Sequence, residues 1–265
     1  MRFFTGDDPT DGLVHYVTRE RAFSQNYTYF EDDGTVIMES DMKTKLNPGE
    51  KRERYTFFSS VRIETMKEYN GGLFILDLKR APWGCAVWPA YWTTSRFDWP
   101  YVGRPSYLLD PELSFDDQNG EIDILEGTHD NEHNQITWHT CNDDKKIGRY
   151  GCSAMEWSQA SYGLHLNLKA EGHSFRAAIP EDVTAGEPRP STWGPPSAVL
   201  SNTRCNITQY FKKHVVVFDI TFCGNYAGNN YNASQCPGTC AERLADPANL
   251  IVRAPRSVPS LSGLG

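Results

Sequence analysis

Apolar positions along this chain recur with a period near two, a pattern that predicts strands rather than helices. Val61 and Ile63 alternate with Arg62 and Glu64, the signature of a half-buried strand. The runs Leu73-Phe74-Ile75-Leu76 and Val215-Val216-Val217-Phe218 are apolar on both faces and predict central strands. The expected strands are Thr35–Glu39, Tyr55–Glu64, Gly72–Leu78, Cys85–Thr93, Gly120–Glu126, Gln135–Thr140 and His214–Phe222. No stretch keeps a capped helical period, so an all-β fold of two packed sheets is expected. Two segments stand outside the pattern. Tyr101–Gln118 reads as a polar insertion containing Pro105 and Pro111, and Ala254–Gly265 as a disordered Pro/Ser/Gly tail. A single domain over residues 1–253 is therefore expected, with the tail behind it.

Composition narrows the partners. The 265 residues are 39% hydrophobic, enough for one large core. The net charge of −8 and the broken basic cluster Lys51-Arg52-Glu53-Arg54 argue against a nucleic-acid partner. No apolar run reaches the length of a membrane span, so no membrane partner is expected. A neutral polymer suits this charge balance.

Seven cysteines stand at 85, 141, 152, 205, 223, 236 and 240. None has zinc spacing, and the late group in a Gly/Asn-rich segment points to disulfides. The odd count leaves at least one thiol without an internal partner. Sequons at Asn26, Asn206 and Asn232 point to a secretory route, although Met1–Asp8 lacks the apolar core of a signal peptide. No Walker loop, dinucleotide fingerprint or G-x-S-x-G elbow is present.

The chemistry concentrates in Gly120-Glu121-Ile122-Asp123-Ile124-Leu125-Glu126-Gly127. Three acids on one short apolar strand are poor strand formers that repel one another, so structure alone gives little reason for them. Glu121 and Asp123 share a face, with Ile122 and Ile124 on the core side. Strict alternation would turn Glu126 into the core; a one-residue β-bulge around Ile124–Leu125 would return it to the face of the other two. Two carboxyls about 5–5.5 Å apart would then suit glycoside hydrolysis with retention, and Asp123 between them would keep their titrations apart. Such a site needs aromatic platforms for neutral sugars, and Trp88, Trp92 and Trp99 lie just upstream. His139, on the next strand, is placed to orient a carboxylate or bond a sugar. His129 and His133 lack the order of a metal helix, and no metal ligands are assigned.

At these residues the chain resembles fungal members of glycoside hydrolase family 16, the laminarinase or endo-1,3(4)-β-glucanase group. The matching stretches are Gly71–Leu78, Cys85–Thr93, Asn119–Gly127, Asn134–Thr140, Ala154–Trp157 and His214–Gly228. The resemblance implies a β-jelly-roll sandwich of two antiparallel sheets with a concave substrate cleft. It implies Glu121 as nucleophile, Asp123 as assisting acid and Glu126 as general acid/base, acting without a cofactor. Trp88, Trp92, Trp99 and His139 match cleft positions. Tyr226 stands where the family usually has Trp, and His15 where it usually has Asn or Asp. The implied protein is a secreted or cell-wall monomer acting on β-glucan; a structural calcium, which some relatives bind, stays open but is not supported by this sequence. Activity is expected to be bell-shaped on the acidic side of neutral. A cell-wall transglycosylase on the same scaffold is one alternative. A catalytically impaired glucan-binding protein from an imperfect gene model is the other, with 101–118 as a translated intron.

Overall fold

The computed structural model describes residues 1–45, 58–95, 120–139, 152–155, 161–163, 166–167, 179–202 and 207–246. Trp99, the 101–118 insertion, Asn206 and the 254–265 tail lie outside the described residues. Among those described, the strands in chain order are β1 (Arg2–Phe3), β2 (Gly6–Asp7), β3 (Val14–Tyr16), β4 (Thr28–Phe30), β5 (Val36–Met38), β6 (Phe58–Ser60), β7 (Arg62–Glu64), β8 (Val87–Ser95), β9 (Glu121–Glu126), β10 (Gln135–His139), β11 (Cys152–Met155) and β12 (His214–Phe222). They form a seven-stranded sheet in the order β1-β7-β12-β8-β9-β10-β11, a three-stranded sheet β2-β3-β6 and the pair β4-β5.

The run Val215–Phe218 does sit in a central strand. β12 is buried at all nine positions between β7 and β8. Its β-branched residues suit a strand covered on both sides. Directly paired residues share a face, so the registers sort the side chains. Val216, Phe218, Ile220 and Phe222 join Val87, Tyr91 and Ile63 in the hydrophobic core. There Tyr91 stacks on Phe218 at 4.7 Å, and Phe222 meets Phe58 at 5.8 Å. Each large apolar side chain so buried is worth about 1.5–3 kcal/mol. The other face carries Val217, Asp219 and Thr221 beside Trp88, Ala90 and Trp92.

Pro89 sits inside β8 without breaking it. The N–H of its partner Ile220 points to Val61 on the β7 side, so this pair exchanges no hydrogen bonds. The Pro89 nitrogen therefore faces the β9 side, where pairing has already ended at Ala90–Glu126.

Two expectations need correction. Gly72–Leu78 forms no strand, and Leu73 is 40% exposed. β7 and then Tyr69, bridged to His214, already occupy that edge of β12, so the segment has no free ladder to join. Its apolar residues cover the core as a strap instead, with Phe74 edge-on to Tyr69 at 5.1 Å. The strand pairs are antiparallel as expected, with the single exception, among the described residues, of β3 and β6, which pair in parallel. A parallel pair needs a long crossover, and the chain between Tyr16 and Phe58 supplies it. Finally, Arg62 and Glu64 are buried rather than solvated, since their side of the sheet is a polar interior.

Candidate active site

β9 runs between β8 and β10, and both neighbours register one extra residue in it. Against β8, Trp92 pairs with Asp123 and the next residue back, Tyr91, pairs with Leu125, so Ile124 is skipped. Against β10, Gln135 pairs with Glu126 and Thr137 with Asp123, so that Ile136 alone stands opposite Ile124 and Leu125. This is the expected bulge, and it puts Glu126 on the face of Glu121 and Asp123. A bulge strands backbone polar groups, which must find other partners. Asn134 supplies them: its Nδ2 donates to the Ile124 carbonyl at 2.8 Å, and its Oδ1 accepts the Glu126 N–H at 2.8 Å. Gly127 abuts the Tyr162 ring, where a Cβ would lie 2.6 Å from ring carbons.

The carboxylates are set in a dry, hydrogen-bonded group. Asp123 is 4% exposed and Glu126 9%. The Trp88 indole N–H donates to Glu126 Oε1 at 2.7 Å. His139 Nε2 lies 3.0 Å from Asp123 Oδ2 and 3.6 Å from Glu121 Oε1. Burial pushes the Asp123 carboxyl up to about 7; the charge of Asp219 adds to the rise and a hydrogen bond with Glu121 opposes it. Glu126 is raised well above the usual carboxylate range by burial and by Asp123, against the Trp88 hydrogen bond. Both carboxyls therefore hold a proton to higher pH than an ordinary carboxylate does.

Around this group the candidate residues divide. Trp88 and Tyr226 meet edge to face at 5.6 Å, and the Tyr226 hydroxyl donates to Gln135 Oε1 at 3.3 Å. A π-helical turn at Gly224–Gly228, entered through Cys223 at φ 58°, carries Tyr226 to that position. Trp92 is only 8% exposed, with the Arg62 guanidinium 4.8 Å over its ring and its indole N–H bound to Asp219 at 2.6 Å. Expected as a sugar platform, Trp92 thus offers little open ring surface and has its N–H committed to Asp219. His15 is not brought to the carboxylates: it projects from β3 opposite to Val14 and Tyr16 and holds Asp7 at 3.0 Å.

Glu121, Asp123 and His139 bring potential ligand atoms within 4.8 Å of one another. The trio offers fewer oxygens than the roughly six to eight that calcium takes. His129 is structural. Its Nδ1 accepts the Ala86 N–H at 3.1 Å, leaving Nε2 to donate to the Ala227 carbonyl at 2.9 Å. Sequence reasoning passed over Asn134, Gln135 and Asp219. Asn134 and Gln135 did carry a signal, because an acidic strand that needs a bulge also needs a polar side chain on its neighbour.

The model of the XgeA-like, catalytic GH16 domain matches residues 1–104 and 141–250, two stretches that bracket the acidic strand. A probable glycosidase of Schizosaccharomyces pombe is 31% identical, over 98% of this chain and 64% of that protein. A probable endo-1,3(4)-β-glucanase of Aspergillus niger is 34% identical, over 89% of this chain and 33% of that protein. The chain thus spans between about one third and two thirds of the length of these curated relatives. Among solved structures, laminarinase 16A from Phanerochaete chrysosporium, with β-glucans in donor and acceptor sites, superposes with a TM-score of 0.76 at 27% identity, covering 94% of this chain and 90% of that one. An elongating GH family 16 β-1,3-glucosyltransferase superposes at 0.75 with 29% identity, covering 95% and 90%.

Proposed function

Because this chain belongs to glycoside hydrolase family 16 and has its β-jelly-roll fold, we propose that it cleaves internal bonds of a β-1,3- or mixed β-1,3/1,4-glucan with retention. Glu121 attacks the anomeric carbon and forms a glycosyl-enzyme, while Glu126 gives its proton to the departing glycosidic oxygen. Glu126 then takes a proton from the water that releases the sugar. Asp123 moderates both by keeping a proton between them, and His139 fixes its orientation. Trp88 and Tyr226 form an aromatic wall against which a sugar ring can rest. Two disulfides, with exposed sequon residues at Asn26 and Asn232, support a secretory route.

The observation that carries this reading is the bulge at Ile124, clamped by Asn134, which collects three carboxyls on one face. Reducing-sugar release from laminarin and from barley mixed-linkage glucan tests it. The parent chain should release sugar, and Glu121→Gln should lower the rate by roughly three orders of magnitude or more. Comparable release by the two would remove Glu121 from the mechanism. The likeness to a glucosyltransferase favours a second reading, in which a sugar hydroxyl replaces water. Products longer than a laminari-oligosaccharide supplied as substrate would establish it.

A further inference from the structure

The registers lay the polar face out as a grid. One row across five strands runs Arg62, Asp219, Ala90, Glu126, Gln135; the next runs Glu64, Val217, Trp92, Asp123, Thr137. A fourth carboxylate, Asp219, thus shares a row with Glu126, with Ala90 between them in the register. We propose that Asp219 is a positioning residue that holds the last proton on the Asp123–Glu126 pair. This rests on the roles given above to those two acids.

Asp219 is buried and fixed. The Trp92 indole N–H donates to its Oδ1 at 2.6 Å, while the mutually bonded Thr221 and Tyr16 hydroxyls lie 3.2 and 3.4 Å from its Oδ2, to which one of them donates. Its neighbours do not cancel its charge. Arg62, adjacent in the row, also pairs with Glu64 at 3.2 Å and lies over Trp92 and Phe4. Asp8 adds a further negative charge from the N-terminal side. The Asp123–Glu126 pair is faced by Glu121, His139 and Gln135 on β9 and β10, by Trp88 on β8, and by Tyr226 and Tyr162. Burial raises Asp219 to about 6, with Arg62 and Trp92 restraining the rise. The negative charge of ionised Asp219 raises both acids of the pair and so opposes the loss of their proton. Two charges two strands apart, about 10 Å, interact across an effective dielectric of about 20 by about one pH unit.

The Trp88 indole N–H is a built-in reporter, because it bonds Glu126 Oε1 directly. Its signal in a proton–nitrogen NMR spectrum, identified by its loss in Trp88→Phe, is followed against pH without substrate. In Asp219→Asn the upper midpoint should fall by about one pH unit, and the bend at the ionisation of Asp219 should be lost. An unmoved midpoint in a folded Asp219→Asn protein would reduce Asp219 to a prop for Trp92. Should that variant fail to fold, carbon NMR of the wild-type carboxyls gives the pH at which Asp219 ionises. The Trp88 curve must bend there, and a curve that passes through that pH without bending overturns the proposal. Glucan hydrolysis by the wild type tests the catalytic roles separately. A chain that releases no sugar but shows the Trp88 shift would retain the coupling and lose the roles.

Discussion

Asp123 shares its face with Glu121, Glu126 and Asp219 and is buried, so ionising it in the folded state is costly. Its carboxyl keeps a proton up to about pH 7 in the folded chain, against about 4 in the unfolded one. Between those values the native state binds more protons than the unfolded state, so stability falls as pH rises, and the whole penalty is present above about 7. Asp123→Asn removes that ionisation. Relative to wild type, the variant should gain on the order of a few kcal/mol in urea melts on going from pH 5 to pH 8. Parallel stabilities at the two pH values would mean that Asp123 is charged in spite of its burial. At this scale the sequence was legible where chemistry overrides structure: three acids on an apolar strand have no bland explanation. Asp219 was hidden because one acid within β12 resembles the polar half of any strand. Arg62 and Glu64 were misread as solvated because alternation reports facing, not what covers the face.

The bulge was legible for the same chemical reason, since only an extra residue lets Glu126 join the other two acids. What holds it was not, because Asn134 acts across strands and two backbone groups of β9 depend on it. In Asn134→Ala the Ile124 carbonyl and the Glu126 N–H lose their partner, at about 1–3 kcal/mol for each orphaned group. A shift of about 1 Å at Glu126 would cost turnover about a hundredfold. Urea melts and kcat on laminarin check both, and full kcat in a folded variant would show that the bulge holds itself. The strap at 72–78 illegitimately resembled a core strand because local apolarity cannot report whether a sheet edge is vacant. The helix at Cys240–Ala245 was legible in principle: Thr239 and Glu242 form a capping box, and Leu244 anchors it in the core. The helix is only six residues long, too short to show a period.

Across the whole molecule, Cys236 and Cys240 tie one short segment to both central strands. Cys236 joins Cys85, just before β8, and Cys240 joins Cys223, just after β12. Each anchored cysteine stands three residues before an aromatic of the wall, Trp88 or Tyr226, so the two staples set the spacing of that wall. Their energetic weights should differ. The closed loops have sequence separations of 151 and 17, which in the chain-entropy account correspond to about 5 and about 3 kcal/mol. Replacing Cys85 and Cys236 by Ser should therefore lower Tm by roughly 10 °C or more, and further than replacing Cys223 and Cys240. Activity should rank the other way if the wall matters most. Cys223 leads directly into the turn that carries Tyr226, whereas Trp88 is also held by β8 pairing and by Glu126. The Cys223/Cys240 variant should thus show the larger rise in KM for glucan with the smaller loss of Tm. Equal changes in KM would mean that the wall is set by the sheet and that both disulfides serve stability alone.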